Sequence, residues 1–433
     1  MRGMRMSEMN VPKLRFGEFE GEWVEKKYGD IYSFYSTNSL SRDKLNYEDG
    51  DVKNIHYGDI HTKFSTIFDI EKEKVPFINR DVDLSKVKDE SYCQEGDLVI
   101  ADASEDYADI GKTIELKNLN NEKLLAGLHT FLARPNKEKI TIGFMGYLLQ
   151  SWKIRKQVMT IAQGTKVLSL SSKRLANLKI DLPLEFEQQK IANFLTSIDQ
   201  KINQLTQKKT LLESYKKGVM QKIVSQELRF KRDDGGVFED WEIHPIGDFI
   251  DLLSGFAFKS ENIVELKDGI PLLRGINITE GKIRHSEEID KFYIGSHTNL
   301  DKYFLEENDL VISMDGSKVG KNSALIGKED VGSLLIQRVA RIRTNNNTSL
   351  SFIYQHINSV LFHNYVNRVK TSSGIPHISS KQIKDFKINF PCLVEQQKIA
   401  NFLTSLDQKI TQTDQQIEAM KSFKKGLLQG MFV

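Results

Sequence analysis

The sequence predicts a mixed α/β (α+β) protein built as an internal duplication. Two tandem variable domains are each followed by a long helix, and the two helices pair antiparallel as a coiled coil about a pseudo-two-fold axis. Three observations predict this. The segment EQQKIANFLTSIDQKI at residues 187–202 returns 208 positions later as EQQKIANFLTSLDQKI at residues 395–410, with one difference, Ile198 against Leu406. Each copy opens a run of apolar residues at heptad spacing. The regions between the copies diverge, and in both of them short β-type runs alternate with helical stretches.

The duplication extends beyond that segment. GTKVLSLSSKRLANLKIDLP (164–183) matches SSGIPHISSKQIKDFKINFP (372–391) in the same register, and Tyr215-Lys216-Lys217-Gly218 matches Phe423-Lys424-Lys425-Gly426. LRFGEFEGEW (14–23) pairs with LRFKRDDGGVFEDW (228–241), and EGDLVIADAS (95–104) with ENDLVISMDG (307–316). A period of about half the chain means a duplicated domain, not a solenoid. The expected division is a first variable domain at 1–186, a helix at 187–227, a second variable domain at 228–394 and a helix at 395–433.

The helices follow from the seam. Ile191, Leu195, Ile198, Ile202, Leu205, Leu212, Val219 and Ile223 recur in steps of four and three. The second copy repeats this with Ile399, Leu403, Leu406, Ile410, Ile417, Met420, Leu427 and Met431. Lys209 and Lys424 interrupt the pattern. Two long helices with matching seams and polar outer faces predict a coiled coil within the chain. A seam between copies of the chain is the alternative. About 39 residues at ~1.5 Å rise give a spacer of about 58 Å, or about 17 base pairs of B-DNA.

The variable domains read as sheets carrying loops. Strands are expected at Leu98–Ala101, 131–133, 178–182, Leu310–Ser313, 335–342 and 386–390, and helices at 146–161 and 351–369. Several loops are polar in a way that suits DNA. SMDGSKVGK (313–321) offers Ser313, Asp315, Ser317, Lys318 and Lys321, with glycines that let backbone N–H groups approach phosphate. Gly164, Thr165 and Lys166 take the same place in the first half as Ser373, Gly374 and His377 in the second. Arg274 and Asn277 in PLLRGINIT, and His56, Tyr57 and Asp59 in NIHYGDIH, also fall at similar places. Arg forks onto guanine and Asn onto adenine. The loop DASEDYAD (102–109) is acidic where its counterpart is basic, so it is expected to face solvent or protein.

Composition narrows the function. The 433 residues are 39% hydrophobic, enough for two or three domains. No run of ~18 apolar residues suggests a membrane span, and no signal peptide is expected, so a cytoplasmic location is. Cys93 and Cys392 make neither a disulfide framework nor a zinc site. With a formal net charge of only +2, a nucleic acid would have to meet local basic patches. Catalytic motifs fail. Gly111-Lys112-Thr113 resembles the end of a P-loop, but Asp106 stands where the first glycine belongs. Two Asp…Glu-x-Lys patterns, Asp102 with Glu115 and Lys117 and Asp251 with Glu265 and Lys267, are expected by chance in so charged a chain. No Asn-Pro-Pro-aromatic or Asp-Pro-Pro-aromatic motif occurs, and no catalytic or metal site is expected.

Two variable domains, each closed by Pro…EQQKIANFLTS and opened by LRF…W, resemble the specificity subunit of a type I restriction–modification system over essentially the whole chain. The resemblance implies two target-recognition domains, each reading one half of a split site on double-stranded DNA. It implies that the helices fix the gap and bind two modification (methyltransferase) subunits. Gln188, Gln189, Gln396 and Gln397, beside Ile191, Leu195, Ile198, Ile202, Ile399, Leu403, Leu406 and Ile410, are the expected coiled-coil and partner-binding residues. S-adenosylmethionine, ATP and Mg are expected in partner subunits and no cofactor in this chain; restriction (endonuclease/translocase) subunits complete the complex. A domain pair this divergent implies an asymmetric target. A stand-alone DNA-modifying enzyme and a coiled-coil adaptor without DNA contact are the alternatives.

Overall fold

The computed structural model describes residues 10–136, 140–265, 268–371 and 374–433. Ser373, and Lys267 of the second Asp…Glu-x-Lys pattern, lie outside them. The chain forms two compact units. Unit 1 comprises residues 10–207 with Asp414–Val433, and unit 2 comprises Lys208–Thr413. Each unit therefore holds one variable domain, the first part of the helix that follows it and the last part of the other helix. Pairing the start of one helix with the end of the other is the antiparallel order that the duplication predicts.

In unit 1 five strands make the main sheet, in the order Tyr32–Tyr35, Thr130–Pro135, Leu98–Ala101, Thr113–Asn118, Ile67–Asp69. All neighbours are antiparallel except the last pair. In unit 2 four antiparallel strands run Ile250–Ser254, Val339–Thr344, Leu310–Ser313, Ser323–Leu325. The D-L-V-I strand is interior in both and every one of its residues is buried, which is why the run is wholly apolar and not alternating. A parallel pair stands beside each main sheet, Lys53–Ile55 with Leu124–Ala126 and Ile270–Leu273 with Leu334–Leu335.

Three sequence expectations change in detail. The run 335–342 is two strands, Leu334–Leu335 and Val339–Thr344, separated by a turn in which Arg338 is left-handed, φ +68°. The helix expected at 146–161 is Phe144–Leu148 plus Trp152–Ile161. The helix expected at 351–369 is Leu350–Ile357 plus Val360–Val369, restarted at Ser359, whose hydroxyl caps Phe362 N–H at 3.2 Å.

The long helices span Glu185–Val224 and Leu393–Gly430. Pro183 and Pro391 stop the preceding strands and leave the helices to start just after them. Most of the apolar seam is buried. In unit 1 Ile191, Leu195 and Ile198 pack in one core with Trp23, Phe144, Leu427, Met431 and Phe432. In unit 2 Ile399, Leu403, Val219 and Ile223 pack with Trp241, Ile246 and Phe352. Ile202 and Ile410 are half-buried.

The same contacts lock each helix to its domain. Arg15 forks onto Glu187, both bonds 2.8 Å, and Trp23 Nε1 donates to the same carboxylate at 3.4 Å. Arg229 and Trp241 repeat this on Glu395, at 2.9 and 2.8 Å for the shorter bonds. Gln188 accepts from Thr141 N and donates to Pro183 O; Gln396 accepts from Ser349 N and donates to Pro391 O. Further along, Tyr147 and Lys424 meet on Asp199, and Gln355 and Lys216 meet on Asp407. The two lysines are equivalent positions of the repeat, and Lys424, one of the interruptions expected in the apolar stripe, forms an ion pair that fixes register within unit 1.

Candidate nucleic-acid interface

In unit 2 the polar loops converge at the end of the central strand. The strand Leu310–Ser313 runs into the glycine-rich turn, where Asp315 pairs as a β-bridge with His377 and Gly316 N donates to Pro376 O at 3.0 Å. Gly374 (φ +74°) and Gly316 (φ +93°) take left-handed turns that need glycine, and a side chain at either would meet no atom within 4 Å, so the backbone there lies open to a ligand. A cleft of about 670 Å³ opens beside this turn, lined by Arg274, Arg284, Asp315, Ser317, Lys318 and Arg338. Four cations against one carboxylate make it locally basic in a chain of net charge only +2.

Not every candidate projects into that cleft. Asn277 is buried, donates to Asp290 Oδ1 at 2.9 Å and Arg284 O at 3.2 Å, and accepts from Arg274 N. It shapes the loop that presents Arg274. Ser313 lines the cleft but is buried, and its hydroxyl donates to Asp315 O. Lys321 is half-buried, and its charge adds to burial in holding His363 neutral. Lys318 is exposed and pairs with Glu280 at 3.0 Å.

Unit 1 builds the same edge from different chemistry. The hairpin containing Gly164, Thr165 and Lys166 is exposed, and its return strand pairs with Ala103–Ser104 directly after the central strand. Tyr57 lies among three imidazoles, with ring centroids 4.7 Å from His56, 5.8 Å from His61 and 5.3 Å from His129. His129 Nδ1 lies 3.3 Å from Asp102 Oδ1. His56 is buried and caps Gly58 N–H, with its pKa lowered by burial and by Arg42. Asp59 is fully buried between Arg42 (2.6 Å) and Lys63 (2.8 Å); burial pushes its carboxyl up, and those two partners outweigh it and hold it below its usual value. Asp59, like Asn277, is framework.

The acidic loop is held from below by Arg155, which donates to Tyr107 O and Ala108 O, both 3.2 Å, and burial lowers the pKa of that arginine. Glu115 has no part in an acid cluster with Asp102. It is buried and accepts from Gly143 N and Gly146 N, each 2.7 Å, while Asp102 faces His129. Among the described residues no group of three His, Cys, Asp or Glu is placed to hold a metal ion. No described helix is long and apolar enough to cross a membrane.

On the helices, Gln188 and Gln396 are buried and fully engaged with their own domains, whereas Gln189 and Gln397 are exposed. Sequence reasoning missed Arg284, His129 and Arg338. The first sits in the stretch GKIRH, which matches no repeat or motif. The other two sit in stretches, GLHT and IQRV, that share no residue, so only sheet register aligns them.

Comparison with known proteins fits this architecture. A Methanocaldococcus jannaschii protein assigned as the specificity subunit of the type I restriction enzyme MjaX is 25% identical over 438 residues, covering 97% of this chain and 95% of that one. The Escherichia coli EcoAI specificity subunit is 33% identical over 189 residues, 43% of this chain and 30% of that one. The crystal structure of the type I restriction-modification S subunit from M. genitalium superposes with a TM-score of 0.62 at 15% identity, covering 98% and 99% of the two chains. The profile of the type I restriction modification DNA specificity domain (Methylase_S) matches residues 20–214 and again 238–421, one match for each repeat, and the chain belongs to that family.

Proposed function

We propose that this chain is the DNA sequence-specificity subunit of a type I restriction–modification complex, acting in the cytoplasm and catalysing nothing itself. The domains at 1–186 and 228–394 each read one half of a split site on double-stranded DNA through the loop edges described above. Because the edges differ, the halves differ. The helices at 187–227 and 395–433 bind two modification subunits, which carry S-adenosylmethionine and methylate adenine. Restriction subunits using ATP and Mg add cleavage.

The observation that supports this reading best is which residues of the repeated segment are exposed. Internal packing accounts for the identity of Glu187 with Glu395, Gln188 with Gln396 and the seam. It does not account for Gln189 with Gln397, Asn193 with Asn401, Gln200 with Gln408, or Lys201 with Lys409, which all face solvent. Exposed residues kept alike in both copies suit a partner surface contacted twice.

The test is reconstitution with the methyltransferase subunit. The complex should bind DNA with affinity that falls steeply with salt, because each neutralised phosphate releases counterion. The chain alone, given DNA and S-adenosylmethionine, should transfer no methyl group. Methyl transfer by the chain alone would make it a stand-alone enzyme, and salt-insensitive behaviour without DNA binding would make it an adaptor.

A further inference from the structure

Sheet register aligns two residues that no motif aligns. Thr130 pairs with Ala101, and Val339 pairs with Ser313, each partner being the last residue of the central strand. His129 and Arg338 precede those residues and so hold the same place in their units. The backbone agrees: His129 O accepts from Asp102 N at 3.1 Å, and Arg338 O accepts from Met314 N at 2.8 Å. Both residues are left-handed, φ +54° and +68°. Histidine, like Asn and Asp, is among the residues enriched in that conformation, but it is uncommon for arginine, and such strain concentrates at ligand-contacting sites. Both side chains are about half exposed, 51% and 58%, and both rest on a carboxylate.

We infer that residues 129 and 338 are the matched base-reading positions of the two units, and that Arg338 reads a guanine in the half-site of unit 2. This rests on the DNA-specificity reading above. Asp315 Oδ2 takes Nη1 of Arg338 at 3.0 Å. One side of a planar guanidinium is thereby fixed, which lowers the cost of ordering it, and N–H groups remain for a second, forked contact. O6 and N7 of guanine match that fork in the major groove. Arg274, Arg284 and Lys318 line the same cleft and supply charge for the flanking phosphates.

His129 offers something else at the matched place. Its Nδ1 is turned to Asp102, which leaves one ring nitrogen, and Tyr57 packs edge-on at 5.3 Å. A single ring nitrogen cannot present the arginine fork, so the two positions read different base edges.

Glycine suits a left-handed φ, so Arg338→Gly and His129→Gly remove the side chains without burdening the backbone. The experiment measures binding of the complex with its modification subunit to the cognate duplex and to duplexes changed one base pair at a time. R338G should lose preference for one G·C pair, by roughly 5- to 150-fold, at one position of one half-site only. H129G should relax one position of the other half-site. Arg338→Lys should restore the preference only in part, because the ammonium is a flexible point charge without the planar fork that Asp315 orients. The ratio between duplexes reads only folded, binding-competent complex. Full discrimination retained by R338G would overturn the inference. So would equal weakening on every duplex, which would make Arg338 a phosphate contact. A wild-type complex that discriminates among none of the duplexes overturns the underlying specificity reading as well, and is the result that tells the two failures apart.

Discussion

In unit 1 Arg15 and Trp23 grip Glu187; in unit 2 Arg229 and Trp241 grip Glu395. Beyond that frame the units part. Three histidines surround Tyr57 in one, and four cations line a cleft in the other. The groups that hold a helix to its domain repeat almost atom for atom, while the groups at the end of the central strand do not. A buried carboxylate with three donors admits few replacements, because losing one partner leaves a desolvated charge. An exposed edge carries no such penalty, so its chemistry is free to follow a ligand. The comparison separates framework from reading surface inside a single chain.

The largest effect expected is on the seam. Ile198 and Leu406 are each 5% exposed, so Ile198→Asp with Leu406→Asp places a carboxylate in an apolar seam of each unit. Each substitution should cost roughly 4 kcal/mol, and assembly with the modification subunits should be lost. Assembly retained at wild-type affinity, in pull-down, would refute the seam.

Next comes the frame. Glu187→Ala and Glu395→Ala should each cost about 3 kcal/mol in urea unfolding, since each leaves a partly buried arginine and an indole N–H without their acceptor. Similar losses are the signature of an equivalent frame, and a large difference would break the equivalence.

One buried group in each unit should respond to pH in the opposite sense to the other. Burial pushes the Glu115 carboxyl up to about 7 against the N–H groups of Gly146 and Gly143. Its folded-state pKa lies above the ordinary 4.5, so folding takes up a proton there, and its contribution to unit 1 weakens as pH rises from about 4.5 to 7. Burial lowers His356 to about 4 from 6.5, so the folded state refuses a proton that the unfolded chain accepts. Its contribution to unit 2 weakens as pH falls from about 6.5 to 4. Each swing is at most about 3 kcal/mol. Glu115→Gln should flatten the first dependence and His356→Phe the second, followed by stability against pH; an unchanged slope in either variant would contradict the assignment.

The smallest effect expected is at the ion pairs in the seam. Lys216→Met and Lys424→Met should each change stability by about 1 kcal/mol or less, because Asp407 and Asp199 remain partly exposed. High salt should narrow the difference from wild type. A loss of several kcal/mol would mean these pairs are far more desolvated than their exposure indicates.

The framework was readable in the sequence because it repeats. EQQKIANFLTS, LRF…W and D-L-V-I located the long helices, the segment that grips them and the central strands. The loop at 164–166 is exposed, and in unit 2 the turn at 313–318 meets His377 in a β-bridge through Asp315. Burial of polar atoms was not readable. Asn277 and Asp59 have side chains suited to base contacts, but their partners lie 13 and 17 residues away, at Asp290 and Arg42, and spacing does not reveal that. The single run read at 335–342 conceals a left-handed turn at Arg338, since nothing in the residue type marks φ +68° there. That turn is what gives Arg338 the place in unit 2 that His129 holds in unit 1.

The central claim is that one frame carries two unlike reading edges. It is tested most directly by mapping N6-methyladenine across the genome of the host with this gene present and deleted. Deletion should erase methylation at one split motif whose two halves are different sequences separated by a fixed unread gap. Loss of a motif with two identical halves, or a methylation map that deletion leaves unchanged, would contradict it.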